Sequence, residues 1–382
     1  MAETLPTIAA AELARRLEAG EPVQLLDVRA PDKVAAGRVA LGAALQFRAL
    51  PNSELFRLPA LDPLRLDSRR PVAVICGHGN SSRTAAAFLR HQGVDAYSVD
   101  GGMAAWECVY VTRELAPTPA IDRVIQVDRV GKGCLSYVLV SDGEAVIVDP
   151  GRHAERYRRI VEDAGATPAA VIDTHAHADY LSGAVTLARD LRIPYFLHAD
   201  DTRSPYDDTP ARLECRTVGD GDRIAFGRAV LRVEHVPGHT LGSVTLLADG
   251  ALALTGDFIF VRSIGRPDLG GQGAAWAKLL WRSLERARGS WAGDLVVLPA
   301  HYSTESERRD DRAVAGRFDA IRKENEPVGI ENEATFLAWI AARQVTPPPA
   351  YRAIKLANLG LVPLSPEDAE LLEFGPNQCA VG

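Results

Sequence analysis

The stretch T-H-A-H-A-D-Y-L-S-G, Thr174–Gly183, gathers His175, His177 and Asp179 within five positions. It follows a short apolar run, Ala169–Asp173. Along an extended segment, residues i and i+2 point the same way, so the two imidazoles can face one ion. Three further pieces each come after an apolar, strand-like run: V-P-G-H with His239, L-T-G-D with Asp257 and L-P-A-H with His301. Side chains carried on separate strand ends can converge on one edge of a sheet sandwich, and this order decides how the larger part of the chain is read. His91, His153, His198 and His235 stand outside the pattern and read as surface or core residues.

The runs between these pieces have strand character. Val124–Val130, Leu135–Val140, Ala145–Val148, Ala229–Val236, Ser243–Ala248 and Ala251–Thr255 are apolar, with S-D-G-E (Ser141–Glu144) and Asp249-Gly250 as hairpin turns. Helices between such strands predict a sandwich of sheets covered by helices. The first hundred residues differ. A helix at Ala10–Leu17, strands at Val23–Val28, Val72–Ile75 and Asp95–Val99, and a helix at Arg83–His91 alternate, which predicts a parallel sheet with helices on its faces. Prolines near Thr112–Ala120 and at Val345–Ala350 mark breaks. The expected division is a first domain at 1–112, a linker at 113–120, a second domain at 121–343 and a C-terminal extension at 344–382. In the extension a short helix starts at Pro366 after a Ser365 N-cap, and Cys379 is expected to be an ordinary exposed thiol.

The 382-residue chain is 47% hydrophobic and 24% charged, as a soluble protein with sizeable cores should be. Its net charge of −7 argues against nucleic acid as a partner. No apolar run is long enough for a bilayer, and M-A-E-T-L-P-T-I lacks the basic start and apolar core of a signal peptide, so a cytoplasmic protein without membrane attachment is expected. Five scattered cysteines fit free thiols in a reducing compartment better than a disulfide framework. A homodimer is the usual form of a soluble enzyme.

One of those cysteines sits in a distinctive place. C-G-H-G-N-S-S-R, Cys76–Arg83, places a cysteine at the end of an apolar strand, then a loop with two glycines, then a helix start. Such a loop turns backbone N–H groups toward one spot, and the helix N-terminus adds positive potential, which favours a thiolate and an anion beside it. The loop, together with L-L-D-V-R (Leu25–Arg29) and D-G-G-M-A-A-W (Asp100–Trp106), resembles the rhodanese family of sulfurtransferases over about residues 7–108. The resemblance implies that Cys76 carries sulfane sulfur as a persulfide, cradled by Gly77, His78, Gly79, Asn80, Ser81 and Ser82, with Arg83 helping to bind the sulfur anion. Asp27 and Arg29 read as structural. Tyrosine phosphatases, the nearest rival, keep one residue fewer between cysteine and arginine.

The set H-x-H-x-D, P-G-H, T-G-D and P-A-H resembles the metallo-β-lactamase superfamily over roughly residues 121–343, which implies an αββα sandwich with metal at its edge. Asp149 in V-D-P-G fits as a strand-end residue near the site. The superfamily includes two-zinc hydrolases and one-iron persulfide dioxygenases. Tyr180 stands where a histidine usually helps build a second metal position, and a phenol with an unperturbed pKa near ~10 is a poor ligand. The segment after Asp257, F-I-F-V-R-S-I-G-R-P-D-L, is similar to that of the persulfide dioxygenases, matching at Arg262, Arg266 and Asp268.

That resemblance implies one Fe(II) per chain on His175, His239 and Asp257, with zinc as the alternative ion. His177, Asp179 and His301 either touch metal or orient its ligands and water. Arg266 and Tyr180 are candidate substrate contacts, and Arg266 equally fits a structural pair with Asp268. The implied activity is O₂-dependent oxidation of glutathione persulfide to sulfite and glutathione, coupled to sulfur transfer through Cys76 with thiosulfate or sulfite. The alternatives are a zinc thiolester hydrolase of glyoxalase II type and a sulfur-relay protein whose metal domain is catalytically idle.

Overall fold

The computed structural model describes residues 5–381. Two compact units emerge. The first comprises Met1–Val111, Arg129–Gly133 and Phe374–Pro376, and the second comprises Thr112–Asp128, Cys134–Glu373 and Asn377–Gly382.

The first unit is a five-stranded, wholly parallel sheet in the order Thr7–Ala9, Ala96–Asp100, Val72–Ile75, Val23–Asp27, Leu45–Ala49. Alternation along each strand sends side chains to two cores. Leu25, Ala73, Ile75 and Val99 pack with Leu13, Leu17 and Trp106 on one face. Leu26, Val72 and Val74 pack with Ala85, Ala86 and Leu89 on the other. The helix Asn80–His91 starts three residues earlier than its apolar pattern indicates, immediately after Gly79. Asp27 and Arg29 form a buried fork-to-carboxylate pair, and Arg29 also reaches the Gly37 carbonyl.

The second unit is an α/β sandwich of two sheets. The seven-stranded sheet runs Arg216–Val218, Tyr195–His198, Thr167–Ile172, Glu144–Val148, Cys134–Ser141, Arg123–Arg129, Tyr110–Leu115. The six-stranded sheet runs Arg223–Phe226, Ala229–His235, Val244–Ala248, Leu252–Gly256, Val296–Pro299, Gly316–Arg317. Their facing side chains, among them Leu135, Leu139, Val146, Val148, Leu231, Val233, Leu246 and Leu254, form one continuous core. The helix Gly273–Ser290 covers the outer face of the second sheet through Trp281, Leu284 and Ala287, which pack with Ala253 and Val297. Both Asp-Gly pairs turn hairpins as their composition demands: Asp142 and Gly143 have φ of 49° and 76°, Asp249 and Gly250 of 54° and 65°.

Two expectations about the chain's organisation look different in three dimensions. The stretch expected to open the linker is strand for its first part, since Tyr110–Leu115 joins the seven-stranded sheet. Most of the tail, including the helices Pro349–Asn358 and Pro366–Leu372, belongs to the second unit. Ser365 caps the latter helix, accepting from Asp368 N–H at 3.0 Å. Among the described residues no helix is long and apolar enough to cross a membrane.

Candidate metal centre and sulfur site

Strand ends place the metal-type residues. Thr167–Ile172 delivers His175 and His177, Leu252–Gly256 delivers Asp257, Val296–Pro299 delivers His301, and the turn before Val244–Ala248 holds His239. Asp149 ends Glu144–Val148 in the left-handed region at φ 53°. Its carboxylate there accepts Thr174 N–H at 2.6 Å and the Thr174 hydroxyl at 2.9 Å, which steadies the start of the histidine segment. Close packing fixes the other side. A Cβ at Gly265 would stand 1.9 Å from the Asp257 carbonyl oxygen and 2.9 Å from His239 Nδ1, so only glycine fits beneath this pair.

His175, His239 and Asp257 come together with one ligand atom each, all within 4.8 Å of one another. Asp257 Oδ2 lies 3.7 Å from His175 Nε2 and 3.2 Å from His239 Nε2. His239 Nδ1 is held by the Arg266 carbonyl at 2.9 Å and His175 Nδ1 by the Thr174 hydroxyl at 3.1 Å, so both rings turn Nε2 to the shared point. Burial holds His175 well below the usual imidazole range, and it lowers His239 as well. Burial works to raise Asp257, but His301 and His239 outweigh it and keep the carboxyl below its ordinary value. The outcome is two neutral imidazoles beside one carboxylate, at most 1% exposed. His175 Nε2, His239 Nε2 and both Asp257 oxygens make no hydrogen bond. Buried polar atoms left this way are costly, and a divalent cation accepting their lone pairs satisfies them all, so the residues fit a metal.

The neighbouring residues divide into two further groups. His177 stands beside His175 with ring centroids 4.2 Å apart; its Nε2 lies 3.2 Å from Asp149 Oδ1 and 3.6 Å from Asp173 Oδ1, while its buried Nδ1 has no hydrogen-bond partner. Burial opposes its charge, yet those two carboxylates raise it to about 10. His301 Nε2 lies 3.2 Å from Asp257 Oδ1 and 3.5 Å from Asp179 Oδ2. Burial opposes charge on His301 too, but Asp257 and Asp179 prevail and raise it well above the usual imidazole range.

The candidate substrate contacts occupy other positions than expected. Tyr180 is 2% exposed, and its hydroxyl donates to the Asp149 carbonyl at 3.1 Å and stands 3.0 Å from His177 Nε2. Burial pushes that phenol well above its ordinary value, with Asp149 and Asp173 adding to the effect, so it stays a neutral donor. Arg266 is buried, and its guanidinium grips Asp268 through two nitrogens at 2.6 and 2.8 Å while also reaching the Val345 and Gln378 carbonyls. That commitment corresponds to the structural alternative. Arg262 pairs with Glu324 at 2.7 Å, both about half exposed.

Three residues beside the centre carry no motif in the sequence. Cys379 is fully buried, not exposed as a chain-end thiol would be, and it groups with Asp257 and His301. Cys134 Sγ lies 3.3 Å from Asp179 Oδ2. Lys355, 2% exposed, has its ammonium lowered by burial against the opposing pull of Asp201, Cys379 and Asp257. It also lines a cavity of about 400 Å³ with Asp201, Tyr206 and Trp276. Asp201 ties the surrounding loops together, accepting Ala176 N–H at 2.7 Å, the Thr240 hydroxyl at 2.8 Å and Gly242 N–H at 3.0 Å.

In the first unit, Cys76 ends its strand at 4% exposure. Gly79 N–H donates to Cys76 Sγ at 3.2 Å, and the Ser82 hydroxyl lies 3.3 Å from it. Ser82 is fixed in turn by Ser98 at 2.8 Å. The Gly101–Trp106 segment braces the loop, with Met103 N–H on the Cys76 carbonyl at 2.8 Å and Ala104 N–H on the Gly77 carbonyl at 3.0 Å. Gly77 is half-buried, and His78, Asn80 and Ser81 are exposed around the loop. Arg83 points outward and pairs with Asp100 at 3.0 Å.

Comparison with known proteins bears on both units. The model of the metallo-beta-lactamase superfamily matches residues 129–317, and that of the rhodanese-like domain matches residues 9–107. An uncharacterised protein of Mycobacterium leprae is 35% identical over 191 residues, 44% of this chain and 86% of that protein. The mitochondrial persulfide dioxygenase ETHE1 of Homo sapiens is 36% identical over 160 residues, 41% of this chain and 59% of that protein. A hydroxyacylglutathione hydrolase of Anaeromyxobacter dehalogenans is 34% identical over 175 residues, 45% of this chain and 63% of that protein. Among solved structures, a metallo-beta-lactamase from Staphylococcus aureus superposes with a TM-score of 0.53 at 28% identity, covering 61% of this chain and 71% of that one. Matching family models on both units and a relative covered over most of its length agree with the sandwich and the parallel sheet: the chain belongs to the metallo-β-lactamase superfamily and carries a rhodanese-like domain ahead of that fold.

Proposed function

We propose that the chain is a two-activity enzyme of sulfur metabolism. The second unit oxidises a glutathione persulfide with O₂ and water to sulfite, glutathione and two protons, and the first moves sulfane sulfur through a Cys76 persulfide between thiosulfate or sulfite and a thiol. The observation that carries the reading is the separate, buried trio of His175, His239 and Asp257, with His177 turned to Asp149 and Asp173. Two imidazoles and one carboxylate suit a single Fe(II) with open positions. The similarity to persulfide dioxygenases supports the choice of chemistry.

Bound there, iron would supply the redox chemistry and the open coordination that O₂ and a substrate sulfur need. The protein's part is orientation and exclusion of water. The Arg266 carbonyl and Thr174 hydroxyl fix which imidazole nitrogens face the ion. Asp201 holds the His175 and His239 loops in register through its three donors. Lys355 lines the adjoining cavity and offers a buried amine there, suited to an anionic substrate group. Tyr180 acts as a strut between the Asp149 backbone and His177, and Arg266 as a strut that fixes the Gly265 turn and the tail. In the first unit, Gly79 N–H donates to Cys76 Sγ, where the carried sulfur would sit, and Ser82 Oγ accepts from that sulfur at 3.3 Å.

The test is oxygen uptake by Fe(II)-loaded protein given glutathione persulfide, with sulfite as product. Absence of both sinks the dioxygenase reading. A second reading, zinc-dependent thiolester hydrolysis, has the similarity to a hydroxyacylglutathione hydrolase in its favour and requires turnover of S-lactoylglutathione without O₂.

A further inference from the structure

The helix Ala184–Leu191, the strand Tyr195–His198 and the edge strand Arg216–Val218 border an open cleft of about 710 Å³ on the second unit. Clefts that take small molecules span about 300–1,000 Å³, so its size is suitable. Four arginines line it, Arg189, Arg192, Arg212 and Arg216, against one acidic side chain, Glu214. Arg189 is paired with Asp190 at 3.0 Å. Arg192, Arg212 and Arg216 make no ion pair and no side-chain hydrogen bond among the described residues. Carboxylates are not scarce, since the chain has 50 acidic residues against 43 basic ones. Elsewhere in the same unit arginines take them, as Arg203 does with Asp208 and Arg317 with Asp319.

Backbone contacts fix where the three uncommitted side chains start. Arg192 follows the last turn of its helix in the left-handed region at φ 57°. Arg212 N–H donates to the Leu359 carbonyl at 2.8 Å. Arg216 sits in register with Phe196 in a parallel strand pair. Three separate elements thus deliver like charges to one cleft, where they repel one another unless a counter-charge joins them. Much of the remaining lining is apolar: Val185, 39% exposed, with Ile193, Pro194 and Leu213. Cys215, half-buried, adds a thiol.

We propose that this cleft is an accessory binding site for a small organic anion that carries more than one acidic group on an apolar body. The acidic groups neutralise Arg192, Arg212 and Arg216, and the body covers Val185 and Leu213. A guanidinium fork matches phosphate and carboxylate alike, so the shared chemistry is a multivalent oxyanion on an organic frame. Binding is reversible and makes no covalent bond. The site goes beyond the persulfide reading, because neither Cys76 nor any of His175, His239 and Asp257 lines it.

The test uses the full-length, metal-loaded chain and three probes: adenosine diphosphate for phosphate, tricarballylate for carboxylate and adenosine as the uncharged control. Calorimetric titration gives the affinity. Alkylation of Cys215 by N-ethylmaleimide, read by mass spectrometry, reports on the cleft itself, with Cys108 as the reference thiol outside it. The expected result is binding of an anionic probe, weakening as salt rises. The probe that binds identifies the source of the oxyanion. At about ten times its Kd it should slow Cys215 alkylation about 10-fold and leave Cys108 unchanged. Combining Arg192→Ala, Arg212→Ala and Arg216→Ala should weaken binding at least about 10-fold and abolish the protection, because charge-assisted contacts are lost. Arg212→Lys, which keeps the charge without the fork, should fall between the two, and circular dichroism checks that every variant folds. Failure of both anionic probes to bind overturns the proposal. So does adenosine binding as tightly as adenosine diphosphate, or protection of Cys215 that survives in the triple variant.

Discussion

Tyr180→Phe is the perturbation that best separates a strut from a ligand. The phenol ring stacks on His177 with centroids 4.3 Å apart and an interplanar angle of 26°, and phenylalanine keeps that ring and its burial. What disappears is one oxygen, the donor to the Asp149 carbonyl at 3.1 Å and neighbour of His177 Nε2 at 3.0 Å. No cavity of note forms, so the cost is that of leaving buried polar atoms without a partner, about 1–3 kcal/mol. Urea unfolding followed by fluorescence should show the midpoint fall with little change in slope. Iron content and oxygen uptake should stay within about 3-fold of the parent, a change of less than ~1 kcal/mol in the barrier. The contrary outcome is sharp. If the ferric parent protein shows a tyrosinate charge-transfer colour that Tyr180→Phe abolishes, along with iron binding, then Tyr180 is a ligand and the strut role is refuted.

The remaining expectations concern other parts of the two sites. Gly265→Ala forces a methyl toward the Asp257 carbonyl and His239, where overpacking costs about 1–3 kcal/mol, and equilibrium dialysis should show weakened iron binding. Asp201→Asn keeps the size but mismatches three donors, and a loss of about 10–100-fold in iron affinity is expected from the same measurement. Cys76→Ser should lower thiosulfate:cyanide sulfurtransfer at least about 100-fold, and near-parent rates would remove Cys76 from the carrier role. Chelation should lower the thermal midpoint of the second unit, because a metal present at 100 times its Kd contributes about 2.7 kcal/mol; an unchanged midpoint would mean that metal does not stabilise the fold.

Much of the fold was legible because strands in a buried sandwich must be apolar and must turn. The runs around Leu135–Val140 and Ala145–Val148 have no alternative to burial, and the Asp-Gly pairs admit the positive φ that a two-residue hairpin needs. Short or half-exposed strands were not legible. Leu45–Ala49 has three exposed or half-exposed polar or small positions, and Tyr195–His198 is four residues beside a proline. At the centre, strand-end histidines and aspartates announce themselves by spacing, and His175, His239 and Asp257 do lie together, but Cys134 and Cys379 gather beside them without any such signal. The direction of each side chain did not show. His177 turns its Nε2 to Asp149 and Asp173, and Asp149 adopts a left-handed backbone, neither of which any pattern in V-D-P-G reveals. Arg266 is taken up by Asp268 two residues on and by carbonyls of the tail. Cys379 was misplaced for the same reason. Its burial depends on pairing with residues more than a hundred positions away, through single bridges without sequence periodicity.

The central claim rests on one assay: oxygen consumption and sulfite release by the Fe(II)-loaded protein with glutathione persulfide, run beside His239→Ala. The expected result is rapid uptake by the parent and less than about 1% of that rate in the variant, since the variant removes one of three donors from the ion. Absence of oxygen uptake by the iron-loaded parent, with O₂-independent hydrolysis of S-lactoylglutathione by the zinc-loaded protein, would contradict it.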